Sequence, residues 1–237
     1  MNLRRGDGRV LRVGHRGAAA LAPENTLAAL RAAVELGVDA VEFDVLADVD
    51  DRLVLAHSHL ELPHERATLD EALDYLASPR VAAHLDLKQR GLEARIADAL
   101  RAHGLVDRSI VSSLDHAALR DLRRHEPRLL VGLSYPEDRY GVSRYRASGP
   151  LIAVGLAALR RTLPRVIARW LQRAGASAAV LHHALVTPAV VARCHEAGAA
   201  VWAWTVNDPA TAARLEGYGL DAIITDDPRI FGVAGAA

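Results

Sequence analysis

Thiols are almost absent: Cys194 is the one cysteine in 237 residues. That excludes an intrachain disulfide and a thiolate zinc site. Cys194 falls in AVVARCHEAG, a stretch of helical period, and reads as a packed helix thiol rather than a nucleophile. Excess charge is also missing, because 29 Lys and Arg balance 29 Asp and Glu and the pI is near 7.2. Such a chain lacks the basic field that general nucleic-acid binding needs. Its arginine pairs, Arg123-Arg124 and Arg160-Arg161, read as helix surface. Aromatics are only 4% of the residues and are not interleaved with those arginines, so no nucleic-acid partner is expected. The longest apolar stretches are broken by Arg, Asp or His, which excludes a membrane span. MNLRRGDGRV carries charge but no apolar signal-peptide core. A soluble, cytoplasmic protein is the expectation. No repeat with a period of about 20–50 residues, low-complexity segment or linker is visible, so residues 1–237 are expected to form one domain.

What is abundant is apolar material, 51% of the chain, enough for a large core. Strand-type runs alternate with helical patterns along the whole length. That alternation is the signature of parallel βαβ units and predicts an α/β fold, a TIM-type (β/α)8 barrel of about eight strands. The first strand is expected at Val10 to Val13. In PENTLAALRAAVELG, Pro23 suits a helix entry, Glu24 complements the positive helix end, and Gly37 stops the helix. AVEFDV alternates strictly, so Glu42 and Asp44 share one face of a strand opposite Val41, Phe43 and Val45. A short strand ending at His57 follows, then a helix with a Thr68–Glu71 capping box. Strands are expected at Val81 to Lys88, Ser109 to Leu114, Leu129 to Tyr135, ASAAVLHH, AVWAWTV and Ala222 to Thr225. Tyr135 to Pro150 reads as a long polar loop of the kind that shapes substrate access. Leu151 to Gly175 has a helical period that Pro164 interrupts, consistent with two helices.

A barrel of this kind carries its chemistry at the C-terminal strand ends. The polar residues fall there: His15 and Arg16, Glu42 and Asp44, His57, Asp86 and Lys88, Ser112 and Ser113, Trp204 and Thr205, Asp226 and Asp227. Glu42, Asp44 and Asp86 form an all-oxygen set suited to Mg²⁺ or Ca²⁺. A solvated acidic strand end neutralised by Arg16 and Lys88 accounts for the same three residues. His15 and His57 have the titration range for moving protons at neutral pH. A lone strand-end histidine is more often structural, but two flanking one acidic cluster favour a role in chemistry. Arg16 and Lys88 suit a phosphate as well as they suit the acids.

HRG, PENT, GVDAVEFDV, LVLAH, LDLK, WTVND and DAIITDDP, in that order from Val13 to Pro228, resemble the glycerophosphodiester phosphodiesterase family. The resemblance implies a TIM-type barrel, a divalent metal and hydrolysis of a small-molecule glycerophosphodiester to glycerol 3-phosphate and an alcohol. By position it implies catalysis by His15 and His57, phosphate contact by Arg16 and Lys88, metal binding by Glu42, Asp44 and Asp86, and Trp204 beside the glycerol. Two residues depart from the pattern. Asp86 stands where the family usually has glutamate, and Ser58 where it usually has aspartate after the histidine. Other readings of the same scaffold are a lysophospholipase D-like enzyme acting on lipid and a phosphodiester-binding barrel without turnover.

Overall fold

A computed structural model of the chain describes residues 2–5, 8–62, 66–78, 80–136 and 149–232. The elements in chain order are β1 (Leu11–Gly14), α1 (Leu27–Glu35), β2 (Ala40–Ala47), β3 (Leu53–Leu55), α2 (Leu69–Ala77), β4 (Ala82–Leu87), α3 (Glu93–Ala102), β5 (Ser109–Ser113), α4 (His116–His125), β6 (Leu130–Tyr135), α5 (Gly149–Ala174), β7 (Ala178–His182), α6 (Pro188–Glu196), β8 (Ala200–Trp204), α7 (Pro209–Gly217) and β9 (Ala222–Thr225). Eight strands run parallel in the order β1-β2-β4-β5-β6-β7-β8-β9, and pairing of β9 back onto β1 closes the ring. The expected (β/α)8 barrel is therefore present. β3 is the ninth strand and pairs antiparallel with β2 outside the ring, stopping at Leu55 rather than at His57.

Alternation within each strand divides the core in two. Val41, Phe43, Val45 and Leu85 face outward and pack under the helices with Leu30, Leu73 and Ile96. The inward positions near the strand starts form a separate plug. Its largest member is Trp202, fully buried among the small side chains of Ala40, Ala178, Ala200 and Ala222. The indole N–H donates to the Leu3 carbonyl at 3.1 Å, so the N-terminal segment covers that end of the barrel. Trimming such an aromatic to Ala costs about 3–5 kcal/mol, transfer and void together.

Helix boundaries follow their caps. Thr68 and Glu71 form the capping box of α2, Asp115 caps α4, and Gly37 and Gly104 take positive φ after α1 and α3. Two further expectations are corrected. α5 runs unbroken through Pro164. Proline removes one backbone hydrogen bond, but Leu163, Ile167 and Leu171 are buried on either side of it and hold the axis together. The PENT segment is not the first turn of α1. Thr26 is the N-cap, accepting from the Ala29 amide at 3.2 Å, so Pro23, Glu24 and Asn25 lie in the loop before it. The access loop expected at Tyr135 to Pro150 lies outside the described residues over 137–148.

Candidate active site

The β1–α1 connection places the first residues of the site. Gly17 has φ +85°, and a Cβ there would sit 2.4 Å from the Ala29 carbonyl carbon, so the turn requires glycine. Arg16 and Asn25 also take positive φ, at 49° and 59°. Left-handed backbone costs an ordinary residue about 1–2 kcal/mol, and specific bonds hold both. The Arg16 amide donates to Glu42 Oε2 at 2.8 Å, the Gly17 amide to the Glu42 carbonyl at 3.0 Å, and the Asn25 amide to the Arg16 carbonyl at 3.1 Å. Asn25 then clasps Asp44 with Nδ2 to Oδ2 and Oδ1 from the Asp44 amide, each 3.0 Å.

Register sets the acids side by side. Asp44 pairs with Asp86 across β2 and β4, and Asp86 with Ser112 across β4 and β5, so all three point into the barrel. One carboxylate oxygen from each of Glu42, Asp44 and Asp86 lies within 4.8 Å of the others. Lys88 Nζ bridges Asp44 Oδ1, at 2.8 Å, and Asp86 Oδ2. Ser112 and Ser134 donate their hydroxyls to Asp86 Oδ1 at 2.5 and 3.1 Å. These two serines anchor the shorter acid where a glutamate was expected. Because the one hydroxyl proton of Ser112 goes to Asp86, its oxygen accepts from His84 Nε2–H at 2.8 Å. His84 is fully buried edge-on to Trp202, and burial pushes it down to about 4, so it is a neutral donor.

The two catalytic candidates face this cluster from different sides. His15 Nδ1 lies 2.6 Å from Asp226 Oδ1, while Nε2 faces Glu42 Oε2 at 3.9 Å. Burial alone would lower the His15 pKa, but the Glu42 and Asp226 carboxylates outweigh it and raise it. Asp226 is itself held by Asn207 Nδ2 at 2.6 Å. His57 Nδ1 lies 3.0 Å from Arg16 Nη2 and 3.2 Å from Asp44 Oδ2. The side chain of Ser58 makes no capping bond to the short helix that follows. Instead Glu61 Oε2 accepts from the His57 amide at 3.0 Å, and Arg66 Nε donates to the Glu61 carbonyl.

Charge is unevenly compensated. Burial opposes ionisation of Asp44, yet Lys88, His57 and Arg16 together hold its carboxyl well below the usual range. Glu42 is pushed up to about 7 by burial, with Asp44 and Asp86 adding to the effect. Arg16 reaches Glu24 with Nη1 at 2.8 Å. Its Nε sits 3.1 Å from Asp44 Oδ2 but is not aligned to donate, which leaves one buried N–H without a hydrogen-bond acceptor. Trp204, on β8 across the ring from β4, donates to the Val180 carbonyl at 3.2 Å and meets His182 edge-on at 5.3 Å.

The structure thus brings His15, Arg16, Glu42, Asp44, His57, Asp86 and Lys88 into one contact network, with Trp204 on the facing wall. The sequence names Asp226 only among the strand-end polar residues and reads Glu24 as a helix-start charge rather than as the partner of Arg16, and it gives no role to Asn207, Asn25, His84 or Ser134. An all-oxygen donor set containing one acid that burial leaves hard to ionise fits a hard divalent cation.

The sequence profile of the glycerophosphoryl diester phosphodiesterase family matches residues 15–74 and 77–230. A glycerophosphodiester phosphodiesterase of Caldanaerobacter subterraneus subsp. tengcongensis is 26% identical, over 93% of this chain and 95% of that protein. An Oleispira antarctica phosphodiesterase, solved with the product sn-glycerol-3-phosphate, shares the fold with a TM-score of 0.71, 22% identity and coverage of 93% and 94% of the two chains. A glycerophosphodiester phosphodiesterase from Agrobacterium tumefaciens does so with a TM-score of 0.69, 20% identity and coverage of 94% and 98%. With its profile matched from His15 to Ile230 apart from two residues, the chain belongs to the glycerophosphoryl diester phosphodiesterase family of phosphoric diester hydrolases.

Proposed function

We propose that this protein hydrolyses glycerophosphodiesters to glycerol 3-phosphate and an alcohol. The observation that carries the proposal is the convergence of two imidazoles, from separate loops, on one cluster of three carboxylates, Glu42 and Asp44 buried and Asp86 half-buried. Membership of the family and the names of the relatives support the substrate class. Glu42, Asp44 and Asp86 would hold a divalent cation, Mg²⁺ or Ca²⁺. When bound, that ion supplies Lewis acidity toward a phosphoryl oxygen and a template for the diester.

The protein's own groups divide the remaining work. Asp226 can only accept, so a neutral His15 carries its proton on Nδ1 and presents a bare Nε2 to the site. His15 is accordingly the proton acceptor from the attacking hydroxyl or water. His57 Nδ1 stands between a donor, the Arg16 guanidinium, and an acceptor, Asp44 Oδ2, so both groups orient the ring. With His15 as base, His57 is the imidazole that gives a proton to the departing alkoxide, which cannot leave unprotonated near neutral pH. Arg16 offers its unaligned Nε–H, and Lys88 a third N–H, to the phosphoryl oxygens as their charge grows. Trp204 gives the carbon skeleton of the glycerol an apolar wall.

The test is turnover of glycerophosphocholine and glycerophosphoethanolamine with Mg²⁺ or Ca²⁺ and an EDTA control. Metal-dependent release of glycerol 3-phosphate is expected. Its absence from every diester tried, or full turnover after both His15→Ala and His57→Ala, would sink the reading.

A further inference from the structure

A net charge of zero hides an uneven distribution. The 26 residues of α5, GPLIAVGLAALRRTLPRVIARWLQRA, contain five arginines and no acid. Leu163, Ile167 and Leu171 bury one side of this helix against the barrel wall. Arg161, Arg165, Arg169 and Arg173 follow one another at four-residue steps, and all are exposed. Each step overshoots a full turn by about 40°, so the four stay within about 120° on the side opposite the buried row. From first to last they extend about 18 Å along the helix. Among the described residues no acid pairs with any of the four. Like charges four residues apart repel, and nothing on α5 offsets that repulsion.

The neighbouring elements do not neutralise the row either. From α4, the exposed Arg120 and Arg123 reach over the end of α5 and donate to the Arg173 and Gly175 carbonyls at 2.9 and 3.0 Å. The acids of α4 and its ends are already matched, Asp115 and Asp121 by Arg90 and Arg124, and Glu126 by Arg101 and Arg128. On α6, Arg193 pairs with Glu196 at 2.7 Å. The sequence over 137–148, between β6 and α5, holds three arginines and two acids. The acids that bring the chain to neutrality lie on other elements. Asp70, Glu71 and Asp74 are exposed on α2. Asp48, Asp50 and Asp51 share Arg52 and Arg95 at the β2–β3 hairpin.

We propose that the outer face of α5 docks on an anionic phospholipid bilayer. A long row of guanidinium groups on a convex, regular helix matches a continuous sheet of phosphates rather than a single small anion. Trp170, the one aromatic of α5, packs on Tyr135 at 5.2 Å and offers no free face for stacking a base, which favours the bilayer over a nucleic-acid strand. No described helix is long and apolar enough to cross a membrane, so the attachment is superficial, held by charge and released by salt. α5 runs along the barrel wall. A bilayer on its outer side therefore lies beside the mouth of the site and leaves it open to water. The chemistry of the substrate points the same way. A glycerophosphodiester is what remains of a phospholipid once both acyl esters are hydrolysed, so the reaction that supplies it takes place at a bilayer. That last step rests on the phosphodiesterase reading; the charge of the face does not.

The test is co-sedimentation of the full chain with phosphatidylcholine vesicles, with and without phosphatidylglycerol, at low and high salt. Wild type is expected to bind the phosphatidylglycerol vesicles at low salt, to leave them at high salt and to ignore pure phosphatidylcholine. Each arginine neutralised at the surface should cost about fivefold in affinity, so Arg165→Gln with Arg169→Gln should cost about 30-fold. Arg52→Gln with Arg95→Gln removes the same charge from the hairpin and should bind as wild type does. Glycerophosphocholine turnover should be unchanged in both double variants, since none of the four arginines belongs to the catalytic network. The proposal is overturned if wild type ignores anionic vesicles, if the α5 variant binds as well as wild type, or if the hairpin variant loses as much. It is also overturned if a short DNA or RNA binds more tightly than the vesicles at the same salt. A wild-type dimer by light scattering that the α5 variant abolishes would overturn it too, since the face would then join two copies. Vesicle binding without turnover of any diester would sink the phosphodiesterase reading and leave the docking face standing.

Discussion

Asp226, on the turn after the last barrel strand, holds the Nδ1 side of His15, on the turn after the first, at 2.6 Å. The contact exists because β9 pairs with β1 and closes the ring. It fixes the histidine's tautomer and raises its pKa. Asp226→Asn keeps the shape and removes the charge, so the His15 pKa should fall. The acidic limb of the pH–rate profile should move to lower pH, because a base with a lower pKa stays unprotonated further down. Asparagine can also accept less well from Nδ1–H, which disturbs the tautomer, and kcat should drop about 10²–10⁴-fold. An unmoved acidic limb would remove His15 from the role of base.

Much of this arrangement is legible in the sequence, for identifiable reasons. Period-two alternation in AVEFDV puts Glu42 and Asp44 on one face whatever the fold, and the repeated strand–helix alternation gives the barrel. PENT is misread because Pro23 and Glu24 are both ordinary helix-start residues, while the left-handed backbone of Asn25 leaves no mark in its neighbours. Ser112 is marked only as a polar residue at a strand end, and nothing in the surroundings of Ser134, inside the apolar run of β6, marks it at all. Asp226 lies 211 residues from His15, and only ring closure makes them neighbours. Composition carries one more signal: Lys88 is the one lysine among 29 basic residues. A chain that otherwise uses arginine throughout places a compact ammonium where two carboxylates converge.

Ser112 and Ser134 together clamp Asp86 Oδ1. Ser112→Ala removes the 2.5 Å donor to Oδ1 and, with it, the His84–Ser112–Asp86 chain. Groups that orient a metal ligand typically account for about 10–100-fold in affinity. Calorimetric titration of metal-free protein with Ca²⁺ or Mn²⁺ should show a loss of that size in Ser112→Ala and a larger one in Asp86→Ala. Equal affinity in wild type and Asp86→Ala would take Asp86 out of the ligand set.

Cys194 is fully buried on α6, and burial, helped by the nearby Asp221 carboxylate, pushes its thiol up to about 12. A disulfide reagent at pH 8 needs exposed thiolate. Native protein should therefore show no fast-reacting thiol, and protein in guanidinium should show one. Rapid modification of the folded chain would contradict both the packing of α6 and the structural reading of this cysteine.

On the proposed mechanism Lys88 joins stability to function. Its ammonium bridges Asp44 and Asp86 at the centre of the acid cluster, and burial, which disfavours its charge, is overcome by those two carboxylates, which raise its pKa. Lys88→Met removes the cation and leaves both acids facing Glu42. Breaking a buried pair on one side costs about 3–5 kcal/mol, which for a chain of this length lowers Tm by about 10 °C. The loss should be largest in EDTA and should shrink when Ca²⁺ or Mg²⁺ is added, because a bound cation replaces the missing charge. Catalysis should not return with stability, since the phosphoryl oxygens still lack the Lys88 donor. Thermal scans of wild type and Lys88→Met, with EDTA and with millimolar metal, separate these effects. A Tm deficit that metal leaves unchanged would mean that the cation and Lys88 do not share the same carboxylates.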